Sequence, residues 1–401
     1  MPTDRGVAAL ASAKSYQDKI ARFLREMIAI PAESGQEEAR CRRVLAEYEA
    51  LGFDEAYFDG LGTVVARMGS GPIKILMDGH IDCVGVGDRD QWDFDPFEGK
   101  YEDGKVWGRG AVDELPAIVG MAYGARILAD RGWPEDVTLY LSASVMEEDC
   151  DGYCMLHLIE NEGVQPDYVV LGEPTDLNVY RGQRGRLEAT ITTKGVSAHG
   201  AHAELGINAL YKMAPILLDI EELNTRLADD DFLGTGSVIA SFIECTSPSL
   251  NAVPDSARIT IDRRLTVGET QETALAELRG LPHLGDAEVE LLEYERTSWR
   301  GLQAQQTKYY PTWVLDEDHP LVQGVADAAT EVLPEQPKIS RWRFSTNGVA
   351  TMGRLGIPTI GFAPGLEELA HTTREHVEVE DLLKATAVYS LIPESLLARA
   401  R

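Results

Sequence analysis

Apolar runs in this chain repeatedly stop at a small residue and then give way to a carboxylate or a histidine. Ile-Leu-Met-Asp-Gly leads to His80-Ile-Asp82, Gly-Arg-Gly-Ala-Val to Asp113, Ser-Ala-Ser-Val-Met to Glu147-Glu148, and Val-Val-Leu-Gly to Glu173. Short apolar runs bounded by Gly or Ser read as buried strands, and strand ends deliver side chains to one rim of a sheet. A lone His-x-Asp or Glu-Glu pair is ordinary on a protein surface. Several carboxylates gathered at buried strand ends are costly unless cations neutralise them. The pattern therefore calls for a sheet-based scaffold and a cation site, completed from far downstream by His371.

The residue types suit two divalent ions about 3.5 to 4 Å apart, sharing one carboxylate. Asp113 is the expected bridge, because Gly108-Arg-Gly110 permits a tight approach and a short Asp side chain has little freedom. His80 and Glu173 would complete one ion, Glu148 and His371 the other. Oxygen and imidazole donors without thiolates favour Zn²⁺, with Mn²⁺ or Co²⁺ as alternatives. Asp82 shares a strand face with His80 and is expected to accept the second imidazole N–H. Glu147 and Glu148 point to opposite sides of an extended chain, so Glu148 is read as a ligand and Glu147 as the general base.

At 401 residues the chain exceeds what one core usually supports. A net charge of −29 repels phosphates, which argues against nucleic-acid and anionic-membrane partners. The N-terminal residues carry no basic-then-apolar leader and no run approaches 18 apolar residues, so a cytoplasmic location is expected. Five scattered cysteines argue against a disulfide framework, with Cys150 and Cys154 read as buried thiols. Residues 1–184 alternate helix and strand patterns, including a helix over 14–30, as in a mostly parallel, helix-covered sheet of an α/β fold. Residues 185–298 change to alternating strands with two helices, a smaller α+β unit, and residues 299–401 return to the first pattern. The smaller unit is thus an insertion with ligands on both flanks.

These motifs, with Ser-Ala-His199-Gly, Asn208-Ala and Ala-His371-Thr in the same order, resemble the zinc-dependent amidohydrolases that include acetylornithine deacetylase, succinyl-diaminopimelate desuccinylase, aminoacylase and carboxypeptidase G. Asn-Ala-Leu-Tyr-Lys-Met, Asp262-Arg-Arg-Leu-Thr and Phe-Ser-Thr-Asn-Gly look closest to the branch called selenium-metabolism-linked hydrolases. The resemblance implies a zinc-peptidase-like catalytic domain and an inserted lid that mediates homodimerisation. It also implies that His199 reaches the partner subunit's site to stabilise an oxyanion, and that Asn251 and Arg264 hold the substrate's carbonyl region and carboxylate. A cis peptide between Asp113 and Glu114 belongs to the same pattern. The expected activity is hydrolysis of an amide in an N-acyl amino acid or dipeptide-like molecule. Hydrolysis of a carbamoyl or ureido C–N bond is the alternative, and a catalytically silent metal-binding protein a third. This chain departs from the family at Glu114-Leu115-Pro116, Ala203 and Ser345-Thr346-Asn347-Gly348. Arg341, Arg343, Asn347, Trp299 and Tyr309 are accordingly candidates for altered specificity.

Overall fold

The structure, a computed structural model, describes residues 1–400. Its larger sheet has nine strands. Val137–Ser144, Ile73–His80, Tyr168–Leu171 and Thr359–Gly361 lie side by side and parallel at its centre. Antiparallel strands flank them: Val64–Gly69 and Glu55–Phe58 on one side, Val179–Gln183 and then Trp313–Val314 on the other. Ile339–Trp342 pairs parallel with Val179–Gln183. The sheet is mixed, with a parallel centre whose strands are mostly buried because both faces are covered.

Helices Leu115–Arg131 and Pro320–Val332 pack on this sheet, and Val379–Tyr389 lies against both. The first begins with Pro at its N-terminal turn and is buried nearly all round. At Gly124 a Cβ would come within 2.8 Å of Tyr389 Cβ, so only a glycine admits that helix contact. The helix expected over residues 14–30 is two, Asp4–Ser15 and Gln17–Ile28. They part at Tyr16, where the backbone leaves helical geometry (φ −99°, ψ 1°) and the hydroxyl donates to Asp130.

A second sheet of five strands is antiparallel, ordered Ser237–Thr246, Ser256–Leu265, Gly185–Lys194 and Glu288–Leu291, with Tyr309–Tyr310 also on Gly185–Lys194. Helix Ala209–Leu223 packs on it, and Met213, Ile216 and Ile220 join Leu187, Ile191, Ile259 and Ile261 in a core separate from that of the larger sheet. Ser237–Thr246 is an edge strand that leaves Ile239, Phe242 and Ile243 exposed. A hairpin of Glu293–Thr297 and Gln303–Thr307 carries Tyr294 and Ala304 into the larger core instead. A small sheet pairs His376–Glu378 with Lys105–Trp107, which brings the tail of the chain beside the Gly108–Asp113 segment. Among the described residues no helix is long and apolar enough to cross a membrane.

Candidate metal centre

Three of the four central strands end at one rim and hand over site residues. His80 is the last residue of Ile73–His80, Glu173 follows Tyr168–Leu171, and Glu147 and Glu148 follow Val137–Ser144 through a turn in which Met146 is left-handed (φ 62°). Asp113 precedes helix Leu115–Arg131 across a cis Asp113–Glu114 peptide. His371 arrives from the other end of the chain. Asp113 lies between the two imidazoles, its Oδ1 2.9 Å from His80 Nε2 and its Oδ2 2.9 Å from His371 Nε2. Glu148 Oε2 is 3.3 Å from His371 Nε2, and Glu173 Oε1 is 3.9 Å from His80 Nε2. Glu147 Oε2 is 4.0 Å from the same nitrogen, and its Oε1 is buried without a hydrogen-bond partner.

These groups face a cavity of about 420 Å³ that is also walled by Asp151, Arg186, Arg264, Phe344, Ser345 and Glu367. His80, Asp113 and Glu148 offer ligand atoms within 4.8 Å of one another, and so do His80, Glu114 and Glu173. The electrostatics are those of a site built for cations. Burial, with the carboxylates of Asp151 and Glu148 nearby, drives the Glu147 carboxyl well above its ordinary pKa against the opposing pull of His80, and burial with Glu114 does the same to Glu173. Burial alone would lower His80, yet the carboxylates of Glu114, Asp113 and Glu147 hold it well above the usual imidazole range. Hydrogen bonds to Asp113 and Glu148 push His371 up to about 10.

Several expectations need correcting. The second nitrogen of His80 does not meet the Asp82 carboxylate: Nδ1 is 2.9 Å from the Asp82 backbone carbonyl and 3.7 Å from its carboxylate. Asp82 instead accepts the Glu147 and Glu148 backbone N–H groups, each at 3.2 Å, and the Ser34 hydroxyl at 2.6 Å. It orients the turn that carries Glu147 and Glu148. Asn347 is not on the cavity wall. Its amide is buried, donating to Asp78 and Ser144 and accepting from Gly152 N, because a polar side chain beneath the sheet rim must satisfy itself internally. Arg343 is exposed beside the wall residue Phe344. Arg264 reaches the wall with Nε and Nη2 already paired to Asp262. His199 and Asn251 lie on the exposed surface of the second unit, where His199 Nδ1 accepts from Ala201 N and the Asn251 carbonyl from Gly200 N.

Other residues emerge only in three dimensions. Glu375, wholly buried, accepts the backbone N–H groups of Gly110, Val112 and Asp113 through Oε1 and pairs with buried Arg109 through Oε2 at 2.6 Å. Arg109 reaches on towards the carbonyls of His371 and Thr372. This pair joins Asp113 to His371, and its only trace in the sequence is a Glu four residues after His371. Glu37 Oε1 holds Gly35 N and Met146 N from behind the same turn, and Arg186 pairs with Asp151 in the cavity wall.

The model of peptidase family M20/M25/M40 matches residues 76–395. The chain belongs to this M20 family. It is 46% identical over 391 residues to an uncharacterized protein, YgeY, of Escherichia coli K12, covering 97% of each chain. The succinyl-diaminopimelate desuccinylase of Magnetococcus marinus is 27% identical, over 93% of this chain and 97% of its own length. Among solved structures, the YXEP protein of Bacillus subtilis, described as a dinuclear metal-binding peptidase of the M20 family, superposes with a TM-score of 0.69 at 14% identity, covering 96% of this chain and 99% of that one. As an M20 member the chain is a hydrolase of amide bonds, and its acidic and imidazole cluster suits divalent metal ions.

Proposed function

We propose that this M20 hydrolase is a dinuclear enzyme that cleaves the amide of an N-acyl amino acid or dipeptide-like substrate bearing a free carboxylate. The observation that carries the proposal is the Asp113 carboxylate, with one oxygen on each imidazole. The donor set fits two ions: His80, Asp113 and Glu173 would hold one, Asp113, Glu148 and His371 the other, and oxygen and imidazole donors favour zinc. The buried, unpartnered oxygens of Glu147 and Glu114 support a site that a cation completes. Bound there, the ions would polarise the amide carbonyl and acidify water.

Glu147 acts as the proton carrier. It faces the cavity beside His80, its burial raises its affinity for a proton, and the turn beneath it is held by Asp82. It takes a proton from the attacking water and returns it to the leaving amine. Arg264 receives the substrate carboxylate with Nη1, which has no hydrogen-bond partner among the described residues, while Asp262 aligns its guanidinium plane. His199 serves the partner subunit's site in a homodimer formed through residues 185–298, whose Ser237–Thr246 edge is exposed, and Asn251 holds the substrate's carbonyl region. The cysteines, all unpaired, suit the reducing cytoplasm.

A chelated preparation reconstituted with Zn²⁺, Mn²⁺ or Co²⁺ and supplied with N-acyl amino acids, dipeptides and ureido acids tests this reading. The expected products are a carboxylic acid and an amine, formed only when metal is present. Ammonia and carbon dioxide would assign the ureido reaction instead. Full activity after exhaustive chelation would overturn the metal assignment.

A further inference from the structure

Arginines gather where the two sheets meet, away from the metal ligands. Arg184 follows strand Val179–Gln183 and leads into the second sheet, Arg341 lies on the adjacent strand Ile339–Trp342, Arg343 follows it, and Arg264 comes from Ser256–Leu265. The guanidinium groups of Arg184 and Arg341 meet, since a Cβ at Gly234 would lie 3.0 Å from Arg184 Nη2 and 3.8 Å from Arg341 Nη2, and Arg184 also feels the charges of Arg343 and Arg264. Arg341 also lies over the ring of Phe232, at 5.6 Å, and its Nε is buried without a partner. Among the described residues neither Arg341 nor Arg343 forms an ion pair within 4 Å. The acids that face the group are few, Asp229 towards Arg184 and Glu367 towards Arg343, with Asp262 engaged on Arg264. Burial and the charges of Arg343, Arg341 and Arg264 pull Arg184 below its ordinary pKa.

In a chain of net charge −29, cations held together with too few anions oppose each other. Guanidinium groups presenting several donors to one place suit an oxyanion, and Arg264 and neighbouring Phe344 continue the surface into the cavity wall. We propose that Arg184, Arg341 and Arg343, next to Arg264, form an anion subsite at the junction of the two sheets that takes a carboxylate or phosphate group. The group is a second acid on the substrate, because Arg264 and Phe344, which adjoin these arginines, line the cavity; this assignment alone rests on the amide-hydrolase reading. An acid seated there touches both sheets and favours the closed arrangement of the two units.

Calorimetric titration of chelated protein with inorganic phosphate and with succinate tests the subsite without any turnover. Both are expected to bind the native protein, with affinity falling about tenfold or more in Arg341→Gln and in Arg343→Gln and largely kept in Arg341→Lys. Absence of binding, or equal binding in native protein and a well-folded Arg341→Gln/Arg343→Gln variant, would overturn the subsite. Kinetics on the metal-loaded enzyme then identify the source of the acid. A second acid on the substrate predicts kcat/KM about tenfold or more higher for N-succinyl than for N-acetyl amino acids, a preference lost in the double variant, with phosphate competing against the succinyl series. Phosphate binding without that preference would keep the subsite and overturn its assignment to the substrate, leaving a free anion as its ligand. If no acylated amino acid is turned over, the amide-hydrolase reading fails while the titration still decides the subsite.

Discussion

At the residue scale, the carboxylates of the centre divide their work by what touches them. Asp113 is held ionised by two imidazoles despite its burial, whereas Glu147 has one oxygen with no partner and a strong bias towards its protonated form. A group of the first kind binds cations, and one of the second kind carries protons. Glu147→Gln should therefore retain both metals by elemental analysis while kcat falls about 10² to 10⁴-fold; retained turnover would remove Glu147 from the mechanism. His371 gives a second test. Its folded pKa, about 10, lies above the unfolded value, so in chelated protein its proton stabilises the fold fully below about pH 6.5, and that contribution is lost as pH rises through about 10. A cation must displace this proton. Zinc titrations at pH 7.5 in buffers of different ionisation enthalpy should report release of at least one proton per chain; heats independent of buffer would mean the imidazole is already neutral.

At the scale of elements, the site depends on devices that hold separate segments in register. The Val145–Glu148 turn is fastened by carboxylates from two other places, Asp82 at the end of one strand and Glu37 beside the start of helix Glu38–Leu51. The segment before Asp113 is fastened by Glu375, whose partner Arg109 extends to the carbonyl of His371. Glu375→Gln leaves the Arg109 charge buried and uncompensated, a change that costs about 3 kcal/mol or more of stability. It should also weaken metal binding about 10 to 100-fold, as loss of a ligand's supporting partner does. Thermal melts and competition with a chelating dye would measure the two effects; normal metal affinity would show that Glu375 serves the fold alone.

At the scale of the whole molecule, the second sheet presents what a partner could cover. Phe242 is 59% exposed and Ile239 54% on a strand with an unpaired edge, and such edges pair readily. Nearby Leu250 is fully exposed, next to Asn251. Phe242→Asp should convert a dimer to a monomer in sedimentation velocity and lower kcat along with it. If His199 acts across the dimer, mixing equal amounts of the His199→Ala and Glu147→Gln proteins should restore about a quarter of native activity, since half the dimers are mixed and each has one complete site. No gain on mixing would place His199 outside the reaction.

The central strands and the residues they present were legible from the sequence because an apolar run ending at Gly or Ser is a local signal; Val137–Ser144 ends on such a Ser and Tyr168–Leu171 stops just before such a Gly. Val179–Gln183 and Ile339–Trp342 were not legible, since Arg and Gly interrupt them and their strand character comes from pairing with each other. The fate of Asn347, the carbonyl that receives His80 Nδ1 and the Glu375–Arg109 pair were equally hidden. Chemistry resides in residue types, so the chain by itself determined which groups could bind cations and move protons. Hydrogen bonds between segments far apart in sequence have no local signature, so only tertiary structure decided which partners hold those groups in place, and which arginines meet beside them.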